Sequence, residues 1–530
     1  MVAAAIACAA LLAGCGGSSS PFSAVVPQPE QPVPVPLPPE PTPPVPTPTP
    51  EPVPDPTPPP VPAPDPVPPV EKPLSVFQTL WNMCAAPRTG LDASGYPYPD
   101  RQGKLADEMN FVRGWADEFY LWYGEIPANI DAASFSNPVD YFGQLKTPAI
   151  TESGRAKDRY HFTYTTERWD AISGAGVDVG YGVTWSRNTG PNLPRTWIAT
   201  LVEPGSPGDA AQLRRGDLLL EVDGIDFVNA ADKPSVDAIN AGLFPAKAGE
   251  AHRLTVSRGG ARIVAAFTSA NVSISAVKNT KIIDTPTGKV GYLSFESHTK
   301  ASEAQLIASV TQLKQAGTAD LVLDVRYNGG GFLFIASELA YMIAGPSAAG
   351  KVFEQSRYND KIRTQPPLLF RSTAYGYSVP GGASPGQPLP YLGLKRVTLL
   401  TTAGTCSASE SIANSLRGVD VEVTLIGSRT CGKPYAFTPV PNCGTTYFSI
   451  EFQGTNAKGF GDYADGMAPS CSVPDDLSRA IGDPAEGMLA AALKYRASGS
   501  CPAGAAARAQ SAPLQLVRPE AAEIAIRTRL

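Results

Sequence analysis

Leu399 to Gly418 reads LLTTAGTCSASESIANSLRG. The β-branched and apolar run Val397–Thr402 predicts a short strand, while Ala408, Ile412, Ala413 and Leu416 recur at helical spacing. A strand therefore hands over to a helix inside a cluster of threonines and serines. The hand-over places Ser407 at the helix N-terminus, where unpaired N–H groups and the positive end of the helix dipole favour developing negative charge. That is an address for a nucleophile. Serines at such positions also serve simply as N-caps, and Ser407 or Ser409 could do so here.

Outward from this stretch the pattern alternates. VGYLSF (Val290–Phe295) precedes a helical run from Ala301 to Ala316, and DLVLDVR (Asp320–Arg326) leads through YNGGGF into a helix reaching Ile343. A less regular excursion, Lys351 to Leu392, comes before the opening stretch, and VEVTLIG (Val421–Gly427) is the next strand. Successive parallel strands with right-handed crossovers bring their C-terminal ends to one edge, which is where open α/β sheets bind ligands. The glycine loop and Ser407 both lie at such ends, so they can be neighbours.

The rest of the 530 residues divides by texture. Residues 1–14 carry an apolar run too short, and too soon followed by Gly and Ser, to span a membrane, which reads as a signal-peptide core. Roughly half of the 55 prolines fall between Pro21 and Pro73, a polyproline spacer reaching on the order of 150 Å when stretched. From Leu74 the chain is aromatic-rich and helical, with Phe111, Trp115, Phe119 and Trp122 near one helical face as core. From Gly174 to about Thr268 short strands alternate with glycine turns. The net charge of −6 is spread without a basic run, which argues against nucleic acid as a partner.

A serine nucleophile needs a base, and the chain offers three histidines, His161, His252 and His298. Only His298, just after a core strand, stands where it could serve. The one GxSxG match, Gly382–Gly386, lies in a Pro/Gly loop without the strand–turn–helix context an elbow requires. HExxH and phosphate-binding Gly-Lys-Ser/Thr patterns are absent from the sequence. The other available base is a neutral lysine, and LIGSRTCGKPY places Lys433 at the end of the next strand. An ordinary lysine, pKa about 10.4, is protonated at neutral pH, so burial would have to lower it by roughly three units. Apolar walls around Lys433 become a requirement of that chemistry.

Three resemblances build on these residues. Leu12-Ala13-Gly14-Cys15 resembles the bacterial lipobox, which implies lipidation of Cys15 and an extracytoplasmic, lipid-anchored body, with Gly16 leaning toward the outer membrane. In that compartment Cys84, Cys406, Cys431, Cys443, Cys471 and Cys501 form an even, disulfide-permissive set. Six cysteines allow 15 pairings, of which Cys431–Cys443 is the local choice; a zinc site is the alternative, though no CxxC pair exists. GSPGDAAQLRRGDLLLEVDG (Gly205–Gly224) resembles a PDZ domain, which implies that Gly180, Tyr181, Gly182 and Val183 receive a peptide's terminal carboxylate while the peptide adds as a strand.

SASE (Ser407–Glu410), GKP (Gly432–Pro434) and DVRYNGGG (Asp324–Gly331) resemble the carboxy-terminal processing peptidases, a Ser/Lys family. The resemblance implies Ser407 as nucleophile, Lys433 as base and the amides of Gly330 and Ala408 as oxyanion hole, with no metal or organic cofactor. It departs at Phe437, where many members carry a Gln that orients the lysine, and Glu410 is the substitute candidate. The expected architecture is α/β multidomain: signal peptide 1–14, lipidated Cys and spacer 15–73, helical domain 74–173, PDZ-like β-rich domain 174–272, and tail 498–530. Between the last two, residues 273–497 form a mainly parallel ClpP/crotonase-like core. The expected function is a serine endopeptidase acting on extracytoplasmic protein C-termini. Its rival is a non-catalytic PDZ-containing peptide-binding lipoprotein.

Overall fold

Helix α1 (Leu105–Phe119) begins where the Asp107 carboxylate accepts the Lys104 N–H at 2.8 Å, occupying a donor the helix cannot pair and setting negative charge at its positive end. One face buries Phe111, Val112 and Trp115 against Tyr141 and Phe142. The helix stops at Phe119, so Trp122 leaves that face and its ring meets Tyr435 edge-on at 4.9 Å. Val440, Tyr447 and Ile450, far downstream, complete the same core. Strand β1 (Phe162–Thr165) follows, and a helix over Thr166–Ala175 ends the region. The computed structural model describes residues 75–92, 95–187, 193–502 and 515–517. The expected signal peptide, Cys15 and the proline-rich spacer lie outside the described residues.

The β-rich region is an antiparallel sheet wrapped on one helix. It contains β2 (Val183–Arg187), β3 (Trp197–Val202), β4 (Leu218–Val222), α2 (Lys233–Leu243), β5 (Ala251–Arg258) and β6 (Ala261–Thr268), in spatial order β6-β5-β4-β3-β2. Leu254, Val256, Ala265 and Phe267 alternate inward along β5 and β6, as a strand period of two requires, and share a core with Val236, Ile239 and Leu243 of α2. Asp232 caps α2 by accepting the Ser235 N–H at 2.9 Å.

The following region holds a mainly parallel sheet of β7 (Val277–Thr285), β8 (Gly288–Phe295), β9 (Asp320–Asp324), β10 (Arg396–Thr401), β11 (Glu422–Gly427) and, after β12 (Thr445–Phe448), β13 (Cys471–Ser472). Its order is β7-β8-β9-β10-β11-β13, antiparallel at β7–β8 and parallel thereafter. Helices α3 (Ser302–Gln315), α4 (Leu333–Ala344) and α5 (Ala408–Gly418) share a core with Leu321, Leu323, Val397 and Leu399. Val322, Leu400 and Ile426 turn the other way, toward α6 (Gly487–Ser498). Both faces are covered, which is why these strands are unbroken apolar runs; each buried Leu or Val contributes roughly 1.5–3 kcal/mol.

Strand pairing, a disulfide and a part-buried arginine bind these regions together. β12 pairs antiparallel with β1, and the Cys84–Cys443 disulfide joins the same two parts of the chain. Arg215, in the turn before β4, donates to Asp475 Oδ1 and the Tyr327 hydroxyl, both at 2.5 Å. Finally β14 (Gln515–Val517) adds antiparallel to the outer edge of β2.

Candidate active site

Ser407 is the N-cap of α5, and its backbone sits at φ 55°, ψ −120°. A non-glycine residue there is strained by about 1–3 kcal/mol and persists only where its surroundings dictate it. Here they do. The Cys406 N–H donates to Asn328 O at 3.0 Å, the Ser407 N–H to Glu410 Oε2 at 2.9 Å, and the Ser411 N–H to Ser407 O at 2.8 Å. Ser407 remains part-exposed, whereas Ala408 and Ser409 are fully buried, and the Ser409 hydroxyl donates to Asn328 O at 3.1 Å.

The glycine loop after β9 reaches this serine. Gly330 has φ +99°, and a Cβ on it would stand 2.8 Å from Ser407 Cβ and 3.1 Å from Ala408 N, so no side chain fits. The Gly330 N–H donates to Asn328 Oδ1 at 2.9 Å. Asn328 is the hub: Nδ2 donates to Phe295 O at 3.0 Å, and Oδ1 also accepts from His298 Nδ1 at 3.1 Å. His298 therefore lies behind the loop as a buried, neutral ring, its pKa pushed down to about 4 by desolvation. Its backbone brackets the loop, donating N–H to Gly330 O and accepting from Phe332 N–H. His161 and His252 are built into other parts, the first stacked on Phe142, the second paired with Asp223.

Lys433, 7% exposed, follows β11. Its Nζ lies 3.9 Å from the centre of the Phe437 ring and 4.9 Å from that of Tyr160. Phe437, where the resemblance departs, thus puts a ring beneath the amine. Tyr160 comes from the N-terminal helical region and donates its hydroxyl to Gly432 O at 3.1 Å, while Arg155 and Arg159 donate to Cys431 O. Glu410 takes hold of the lysine through its main chain. Its fully buried carboxylate accepts from Lys433 N at 2.8 Å, Gly432 N at 2.9 Å and Thr430 Oγ1 at 2.6 Å, besides Ser407 N. Burial raises its pKa, and these donors pull against that rise. Because Ser407 N and Lys433 N share one carboxylate oxygen, they lie within two hydrogen-bond lengths of each other.

A disulfide closes the same gap. Cys406, adjoining Ser407, pairs with Cys431, two residues before Lys433, at a Cα–Cα distance of 5.3 Å. The expected Cys431–Cys443 pairing is therefore wrong: Cys443 pairs with Cys84, and Cys471 with Cys501. Nearness in sequence misled, because β10–α5–β11 returns Cys431 to the helix N-terminus. Cys406, Glu410 and Cys431 cluster within 4.8 Å, but both sulfurs are tied in the disulfide, so the zinc alternative loses its thiolates.

At the other candidate site, Tyr181 is buried with its hydroxyl donating to Gly242 O at 2.8 Å. The Tyr181 and Gly182 carbonyls accept from the Gly208 and Glu203 N–H groups. A Cβ on Gly182, φ +70°, would meet Ser206 Cβ at 2.4 Å. Val183 opens β2, whose outer edge β14 occupies.

Residues 289–451 match peptidase family S41, and residues 107–164 match the peptidase S41 N-terminal domain. A carboxyl-terminal-processing protease of Picosynechococcus sp. is 29% identical over 231 residues, 43% of this chain and 49% of the relative. A chloroplastic C-terminal processing peptidase of Tetradesmus obliquus is 26% identical over 282 residues, 49% and 52%. The chain spans about half the length of the curated relatives it matches. A solved structure assigned to the S41 proteases, from Bacteroides fragilis, is 24% identical and aligns over 76% of this chain and 98% of its own with a TM-score of 0.54. That likeness speaks to fold, an α/β arrangement with several sheets. The two matched regions lie where the helical part and the parallel sheet carry these residues, and over them the chain is similar to peptidase family S41.

Proposed function

We propose that the protein is a serine endopeptidase of the carboxy-terminal processing type, acting on extracytoplasmic proteins or peptides by a Ser/Lys mechanism. Ser407 Oγ attacks the scissile carbonyl carbon while Lys433 Nζ takes its proton; the C–N bond then breaks, and the same proton goes to the leaving amine. Water, deprotonated by Lys433, hydrolyses the acyl ester and frees Ser407. The Ala408 and Gly330 amides hold the oxyanion, each donor worth about 3–4 kcal/mol. For this the Gly330 N–H turns from Asn328 Oδ1 to the incoming oxygen, a bond that tightens only with substrate. Glu410 acts as a positioning residue. The observation that carries the reading is its carboxylate, which ties the backbones of Ser407 and Lys433 to one point.

Under this reading residues 174–272 are a PDZ-like domain whose Gly180–Val183 segment receives a substrate's terminal carboxylate. Residues 74–173 are the N-terminal domain and 273–497 a ClpP/crotonase-like peptidase core. Three disulfides favour an oxidising compartment, in keeping with a signal peptide and lipid anchoring at Cys15. Among the described residues no helix is long and apolar enough to cross a membrane. The test is cleavage of a protein with a free apolar C-terminus, and of its amidated form, by wild type and Ser407→Ala. Cleavage of the free form by wild type alone is expected. Binding without cleavage would favour the non-catalytic rival.

A further inference from the structure

β2 has two edges, and a bare strand edge presents unpaired N–H and C=O groups that invite another strand. β3 covers one. The other, beside the Gly180–Val183 segment, is where a substrate tail would pair if the region reads peptides as proposed above. We infer that the chain's own Gln515–Val517 segment is a resident strand on this edge, so that an incoming C-terminus must displace it before it can be captured.

The register carries the argument. Gln515 stands opposite Arg187, Leu516 opposite Ser186 and Val517 opposite Trp185. Running antiparallel, the segment heads from Arg187 back toward Val183 and Gly182, the direction a peptide must run to present its terminal carboxylate there. Val517 is buried, 8% exposed, in the same apolar core as Tyr181, Trp185 and Val236, Ile239 and Leu243 of α2. An apolar side chain is thus seated between strand and helix as a peptide's would be. The mimic is imperfect in one respect: in the sequence Val517 is followed by Arg518 and Pro519, so the segment carries no free carboxylate at Val517, and a proline has no N–H to donate to a ladder.

A three-residue strand would bind weakly as a free peptide. This one is tethered, because Cys501 is bonded to Cys471 of β13 and only the stretch 502–514 separates it from Gln515. A tether of that length gives a local concentration on the order of millimolar. A segment whose own dissociation constant is near 100 µM would then fill the edge about ten times as often as it leaves it bare, weakening an external peptide's apparent affinity about tenfold. Peptides that add a free carboxylate have an interaction the resident strand lacks, and displace it selectively.

The test uses the Ser407→Ala chain, to prevent turnover, in three forms: full length, ending at Pro502, and full length with Val517→Asp, which puts a charge into the apolar seat. Hydrogen exchange is followed at the amides of Trp185–Arg187, and binding of a fluorescent peptide with a free apolar C-terminus by anisotropy. Both altered forms should exchange faster at those amides and bind the peptide about tenfold more tightly, with unchanged melting of the remainder. Unchanged exchange and affinity in both would overturn the inference. Faster exchange with no peptide bound in any form would overturn the capture reading while leaving the resident strand in place.

Discussion

Two serines stand two positions apart at the start of α5, and their surroundings separate their roles. Ser407 is part-exposed and strained, with Gly330 packed against its Cβ; Ser409 is sealed and donates to Asn328 O. Ser407→Ala should abolish cleavage and leave the melting temperature nearly unchanged. Ser409→Ala should lose about 1 kcal/mol of stability, the ordinary worth of one hydrogen bond, and keep most of the activity. Activity assays and melting curves on the two variants decide it, and the opposite pattern would displace Ser407 as nucleophile. What the sequence could reach at this scale was the strand-to-helix hand-over, because the apolar period changes within a few residues. It could not reach Tyr160, which arrives from a different region, nor the use of Phe437 as a surface beneath the lysine.

At the scale of elements, the Cys406–Cys431 disulfide fastens the N-terminus of α5 to the segment after β11, the two places from which the proposed nucleophile and base project. Glu410 ties the same two places by hydrogen bonds. The double variant Cys406→Ala/Cys431→Ala should therefore lose stability, up to about 3 kcal/mol for a loop of this length, and should also lose turnover about tenfold with KM nearly unchanged. Single-turnover kinetics and thermal melting distinguish the effects: lower melting with full turnover would make the bond a staple only. The strands Val290–Phe295, Asp320–Arg326 and Val421–Gly427 were legible because a sheet covered on both faces demands unbroken apolar runs. The disulfides were not, since Cys84 and Cys443 are 359 positions apart and meet only through folding of the helical region onto the core.

At the scale of the whole molecule, the buried carboxyl groups of Glu338, Glu354 and Glu451 shift the same way. Desolvation raises Glu338 to about 8, helped by neighbouring Glu303, and raises Glu354 and Glu451 each to about 7. Each binds its proton more tightly folded than unfolded, so the stability it contributes is complete below about pH 4.5 and is lost as pH rises through 7 to 8. The melting temperature should fall between pH 5 and pH 8.5. Glu354→Gln, which keeps the shape beside Ser411 and Gly454, should remove on the order of 3 kcal/mol of that fall. Melting curves for the variant that stay parallel to wild type across this range would refute the assignment.

The central claim is that a lysine, not a histidine, takes the proton of Ser407. It is tested most directly by single-turnover peptide cleavage from pH 5.5 to 9 with wild type, Lys433→Arg and His298→Ala. Wild-type cleavage should rise with pH along one acid limb, in the range of 7 to 8 usual for catalytic lysines. Lys433→Arg should be nearly inactive throughout, because a guanidinium keeps its proton at every pH in the series. His298→Ala should keep the wild-type limb, at a rate lowered only as far as the glycine loop loosens. Wild-type turnover by Lys433→Arg, or loss of the acid limb with His298→Ala, would contradict the Ser/Lys account.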